Sequence, residues 1–245
     1  MRGLFVTGTD TGVGKTALSA ALLAAMTAAG ERVSAHKPAV TGLDEHEQAN
    51  DGSAQSWPAD HELLAAAARM PADEVAPLRY GPAVSPLLAA ELAGEALQAR
   101  RVLAAGAAAV ADRENADGTV IVEGVGGLLS PLAENLTVCD FAVALRLPLL
   151  IAARPGLGTI NHTLLTLQCA RAAGLGVRAV VLTPWPERPS RLESSNLQTI
   201  ARFGSVEVDT LARVSAPQMD ELARAGAELP WRRWLGERPG VKRTR

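Results

Sequence analysis

Short apolar runs separated by stretches of helical periodicity recur along the whole chain. Leu4-Phe5-Val6, Val120-Ile121-Val122 and Leu149-Leu150-Ile151 have no polar alternation, as expected of strands buried on both faces of a parallel sheet. The pattern predicts strands at 3–7, 32–36, 119–123, 148–153 and 177–182, with a weaker one at 209–213. Between them it predicts helices at 15–29, 60–69, 85–93, 95–112, 137–146, 160–173, 190–203 and 216–226. Local punctuation agrees: Gly30 and Gly174 follow two of these helices, and Ser85 with Pro86 supplies an N-cap and a first helical residue for a third. Strand and helix in alternation are the mark of βαβ units. The expectation is an α/β fold, a single domain over 1–236, with a mostly parallel sheet and helices on both faces. The polar stretch 41–58 reads as a long mobile loop, and 237–245 as a poorly ordered basic tail.

Composition narrows the function classes. A chain of 245 residues with 48% hydrophobic content can bury a full core. Its net charge of −2 and pI near 6.1 give no electrostatic case for nucleic acid or an anionic membrane surface. Cys139 and Cys169 lie far apart without C-x-x-C spacing, which suits a reduced cytoplasmic compartment. The first strand begins almost at once, leaving no room for a signal peptide, and the most apolar stretch, 142–153, is interrupted by Arg146 and Pro148.

The chemistry begins at residues 8–16, GTDTGVGKT, between the first strand and the first helix. Backbone amides of such a glycine-framed loop converge on a polyphosphate at a helix N-terminus; Lys15 reaches the distal phosphates and the Thr16 hydroxyl can ligate magnesium. Gly12, Val13, Gly14, Lys15, Thr16 and Ala17 form the run that meets a nucleotide, and the fold expected is that of a P-loop NTPase. Counted from Gly8, the spacing is one residue longer than the strict motif. Only three of the 24 basic residues are lysine: Lys15, Lys37 and Lys242. Lys37 ends the second strand, where a compact ammonium suits a crowded phosphate site better than a guanidinium would.

Ligands in open α/β sheets sit beyond the carboxyl ends of the strands. Lys37 and Thr41 follow the second strand. Glu123 ends the third and Gly124, Val125 and Gly126 follow it, placing a carboxylate for magnesium and a loop that admits close ligand approach. After the fourth strand, Gly156 to Thr163 enters a helix whose amides, with Asn161, can hold a ligand carboxylate. Thr183 and Pro184 follow the fifth strand, where they flank a base or merely connect; Arg213, Val214 and Ser215 offer a second place for base contact. No G-x-S-x-G, H-E-x-x-H or Cys/His pair supports a nucleophilic or metal-hydrolase reading.

Four ordered blocks, GTDTGVGKT, HKPAVTG, VEGVGGLLSPL and GLGTINHTLLTLQ, closely resemble the dethiobiotin synthetase family over roughly residues 3–200. The resemblance implies a homodimeric, ATP- and magnesium-dependent ligase with substrate bound across the subunit interface. Carbon dioxide would add to an amine of 7,8-diaminononanoate, ATP would phosphorylate the carbamate, and the second amine would close the ureido ring. On this match Lys15, Lys37 and Thr11 are catalytic, Thr41 helps to orient the carbamate, and Asn161 binds substrate. Thr16 and Glu123 match magnesium ligands. A third ligand is an aspartate opening the helix after the long loop, with Asp60 the better fit and Asp51 its rival.

The chain also departs from the family. Gly12 replaces a common glutamate, Val125 a usual alanine, and Thr183-Pro184 an Asn-Asp pair that reads adenine in better-known members. The amidoligases of cobyrinate type share the ATPase core but carry a glutaminase domain, for which this chain has no length. Partitioning ATPases put a second lysine five residues before the main one, where this chain has Asp10.

Overall fold

The computed structural model describes residues 2–49, 57–115 and 117–236. Its centre is β1 (Gly3–Gly8), buried at every position, from which the chain turns directly into α1 (Lys15–Ala28). The other sheet strands are β2 (Val33–His36), β3 (Thr119–Glu123), β6 (Leu149–Ala153), β7 (Val177–Trp185) and β8 (Val208–Ala212). They lie in the order β2-β3-β1-β6-β7-β8, and every neighbouring pair is parallel. All six strands expected from the apolar runs are present, but β7 runs past the expected end at 182, so Thr183 and Pro184 lie within the strand and do not follow it. A small antiparallel hairpin, β4 (Pro131–Ala133) with β5 (Leu136–Thr137), was not expected, because two and three residues carry no readable period.

Alternate side chains of the buried strands feed opposite faces, and each face has its own core. Leu4, Val6, Ile121 and Leu150 pack under α1, α3 (Asp60–Ala68), α10 (Met219–Ala227) and α11 (Trp231–Trp234). Phe5, Val120, Val122 and Leu149 face α5 (Pro86–Leu92), α6 (Ala99–Asn115) and α7 (Val138–Leu145). Ile151, Val180 and Leu182 meet α8 (Thr159–Ala172) and α9 (Arg191–Gly204). Side-chain caps open three of these helices, the first of them the one expected from the sequence. Ser85 accepts from the Leu88 amide ahead of Pro86, while Thr137 and Ser190 form capping boxes with Asp140 and Glu193.

Three expectations need correction. The stretch 41–58 is not loop throughout: α2 (Leu43–Ala49) forms inside it, with Asp44 and Glu45 favouring the helix N-terminus and the Asp44 amide tied to the Gly81 carbonyl. The helix expected from 95 starts at Ala99, because the Leu97 carbonyl is taken by the Glu134 amide of the hairpin. The helix expected from 216 starts at Met219, since Pro217 restricts the residue before it. A short helix, α4 (Ala72–Val75), completes the elements. Residues 50–56, including Asp51, and the basic segment 237–245 lie outside the described residues. Among the described residues no helix is long and apolar enough to cross a membrane.

Candidate active site

The carboxyl ends of β1, β2, β3, β7 and β8 open on one cleft of about 860 Å³. Its floor is the phosphate loop. Gly12 and Gly14 adopt φ of 67° and 92°, a conformation glycine takes without a Cβ penalty. At Gly14 there is also no room: a Cβ would lie 2.7 Å from Thr183 Cγ2, so the loop packs directly against the end of β7. Lys15 is buried and donates to the Asp10 carbonyl at 2.9 Å. Burial lowers its pKa to about 8, against the pull of Glu123, so its ammonium is only lightly held before an anion arrives.

Two lysines and two carboxylates meet above this floor. Lys37, on the residue after β2, is buried, and its Nζ donates to Glu123 Oε1 at 2.5 Å and to Asp60 Oδ2 at 2.7 Å. Burial alone would lower the Lys37 pKa, but Asp60 and Glu123 more than offset it and hold the ammonium above the usual lysine range. Asp60 is shifted the other way: the atoms crowded around its carboxylate would raise it, although the side chain keeps 46% of its surface open, and the opposing Lys37 charge and hydrogen bond hold it below the usual carboxylate range. Glu123 is fully buried at the end of β3, and its Oε1 also accepts from Thr16 Oγ1 at 2.9 Å. Its Oε2 is buried without a hydrogen-bond partner.

That orphaned oxygen bears on magnesium. Among the described residues no three His, Cys, Asp or Glu side chains cluster into a self-sufficient metal cage. Magnesium does not require one, since it takes one or two carboxylates with phosphate and water. Asp60, Glu123 and the Thr16 hydroxyl provide oxygen donors around a point where a cation, the Lys37 ammonium, already sits. The residues fit the ion.

The cleft gathers most residues singled out from the sequence: Thr11, Gly12, Gly14, Lys15, Thr16, Ala17, Lys37, Thr41, Asp60, Val125, Gly126, Thr183, Pro184, Arg213 and Val214 line it. Others stand apart. Val13 points into the core, Glu123 lies behind the lining and reaches it through Thr16 and Lys37, and Gly124 packs against Val138 and Phe5. Ser215 is not part of the lining, and Asn161 is exposed at the start of α8, also outside it. Sequence reasoning missed several wall residues. Trp57, Ser85, Pro86, Ser130 and Pro131 also line the cleft. Ser85 was legible only as a helix cap, and Trp57 gave no signal beyond its nearness to Asp60. Arg154, the first residue past β6, was also missed, although its place at a strand end was a usable signal; its Nη2 donates to the Thr11 carbonyl at 3.0 Å.

Comparison with known proteins shows what the chain as a whole is similar to. A family model described as an AAA domain matches residues 2–224. The ATP-dependent dethiobiotin synthetase BioD of Anaeromyxobacter dehalogenans strain 2CP-1 is 45% identical over 184 residues, covering 74% of this chain and 76% of that protein. The protein of the same name from Mycobacterium avium strain 104 is 40% identical over 208 residues, covering 84% and 85%. That from Bacillus subtilis strain 168 is 34% identical over 206 residues, covering 84% of each. The signal recognition particle receptor FtsY of Elizabethkingia anophelis has a TM-score of 0.50 at 12% identity; the match covers 93% of this chain and 65% of that receptor, and bears on the fold alone.

Proposed function

The chain belongs to the dethiobiotin synthetase family of ATP-dependent ligases, and from that premise we propose how its cleft closes a ureido ring. An amine of 7,8-diaminononanoate adds to carbon dioxide and loses a proton, giving a carbamate. A carbamate oxygen then displaces ADP from the γ phosphorus of ATP. The second amine attacks the carbonyl carbon of this mixed anhydride, phosphate leaves, and a proton is released.

The protein's part is to hold two anions in line and to keep their charges from separating them. The amides of the phosphate loop cradle the nucleotide phosphates. Lys15 and Lys37 bring two positive charges to the transferring group, and the Thr11 and Thr41 hydroxyls orient the carbamate. Thr16, Asp60 and Glu123 would hold magnesium, which when bound offsets the phosphate charge. Thr183, Pro184, Arg213 and Val214 form the walls around the base.

The single observation behind this reading is the cluster of Lys37, Asp60, Glu123 and Thr16 directly above the phosphate loop. Asn161 lies outside the cleft of its own chain, so it serves the substrate carboxylate only in a homodimer, across the interface. The ligase domain is taken to span 1–236, with the basic tail apart from the chemistry and the enzyme working in the cytoplasm. Purified protein supplied with diaminononanoate, bicarbonate, magnesium and ATP should form dethiobiotin, and phosphate release should require both diamine and bicarbonate. Phosphate release without dethiobiotin would overturn the proposal.

A further inference from the structure

Arg154 stands outside the residues that carry the chemistry above, yet it touches the phosphate loop. It is exposed, follows β6 immediately, and donates through Nη2 to the Thr11 carbonyl, a contact spanning 143 residues of sequence. The same nitrogen would lie 3.4 Å from a Cβ built on Gly12, so the guanidinium lies alongside the Thr11–Gly12 peptide.

The carbonyl of Thr11 and the N–H of Gly12 belong to one trans peptide unit and point to opposite sides of it. Thr11 and Gly12 line the cleft, whereas Arg154 does not. A carbonyl drawn toward Arg154 therefore turns the Gly12 N–H toward the cleft. Glycine crosses readily between backbone regions, and Gly12 sits at φ 67°, so nothing in its own side chain resists rotation of that peptide. On the other side of Thr11, the loop is already tied, by Thr11 N–H to Asp10 Oδ1 at 2.7 Å and Lys15 Nζ to the Asp10 carbonyl. The Thr11–Gly12 peptide is the next unit, and Arg154 is the group that holds it.

We propose that Arg154 is a positioning residue of the phosphate loop, bracing the Thr11–Gly12 peptide so that the Gly12 amide stays aimed at the distal phosphates of the nucleotide. The proposal rests on the reading of this loop as a phosphate cradle. Arginine suits the task because its charge is permanent and its fork gives a directed donor; a hydrogen bond to a charged group is also stronger than one between neutral partners.

Calorimetric titration with ATP, ADP and AMP, on wild type and on Arg154→Ala and Arg154→Lys, tests this. Arg154→Ala should bind ATP and ADP about tenfold more weakly and leave AMP within twofold, with Arg154→Lys recovering part of the loss. In turnover the same loss should fall on the KM for ATP, with kcat within threefold of wild type. A merely structural role would lower the melting temperature and weaken all three nucleotides alike. Unchanged ATP binding in Arg154→Ala, or an equal loss on AMP, would overturn the proposal. A wild type that bound no nucleotide would overturn the cradle reading and this proposal together.

Discussion

Replacing Lys37 with methionine keeps most of the side-chain volume and removes the one charge that two carboxylates share. Glu123 is fully buried, and after the change its Oε1 would keep only the Thr16 hydroxyl while Oε2 still lacks a partner. Asp60 contributes less, because its side chain is 46% exposed and water can take over part of the solvation. Breaking a buried pair by removing one partner costs about 3–5 kcal/mol, which for a domain of this size is a drop of roughly 6–20 °C in melting temperature. A divalent cation should repair the defect: in saturating magnesium and ADP, the gap between variant and wild type should narrow, since the ion would sit among the same oxygens. Thermal denaturation with and without magnesium and ADP measures both quantities. Activity should fall more than tenfold, a barrier increase above about 1.4 kcal/mol, while nucleotide binding remains. A stability loss under about 1 kcal/mol, or a gap that ligand leaves unchanged, would refute the charge-sharing argument.

Other outcomes follow from the same geometry. Inactive Lys37→Ala and Asn161→Ala protomers, mixed and verified as heterodimers, should recover activity, because one composite site retains both native residues; no recovery would count against a shared site. With Thr183 and Pro184 in place of a base-reading Asn-Asp pair, most nucleotide affinity should come from the phosphates, and CTP or GTP should support turnover within about tenfold of ATP. A hundredfold ATP preference in kcat/KM would show that other residues read the base. Burial lowers the His36 pKa from 6.5 to about 4. The stability from keeping it neutral is complete above its unfolded pKa and is lost as pH falls through the folded value, a contribution of about 3 kcal/mol. Urea unfolding between pH 7 and 4 should therefore show a shallower loss in His36→Leu; parallel curves would assign acid sensitivity elsewhere.

The phosphate loop, the six sheet strands and the strand-end residues Lys37 and Glu123 were legible in the sequence because each is a local property. A buried strand is a short apolar run, a loop that cradles phosphate needs glycines next to a helix start, and a residue just past a strand lies at the ligand end of a parallel sheet. Strand-end position joined Thr16 with Glu123, and the family resemblance added Asp60, but the ion pairs of Lys37 with Asp60 and Glu123 were not legible from local pattern. Lys37 meets Asp60 across 23 residues and Glu123 across 86, and Thr16 meets Glu123 across 107. These meetings depend on β3 lying between β2 and β1, an order that periodicity does not encode. Asp60 entered the site as the first residue of a helix brought over β2, and α2 formed in a stretch whose polarity read as loop. Arg154 reaches Thr11 only because β6 pairs with β1 on the side opposite β3. Sequence thus determined which groups stand at strand ends. Strand order, decided by how two helical layers bury the faces of one sheet, determined which of those groups touch.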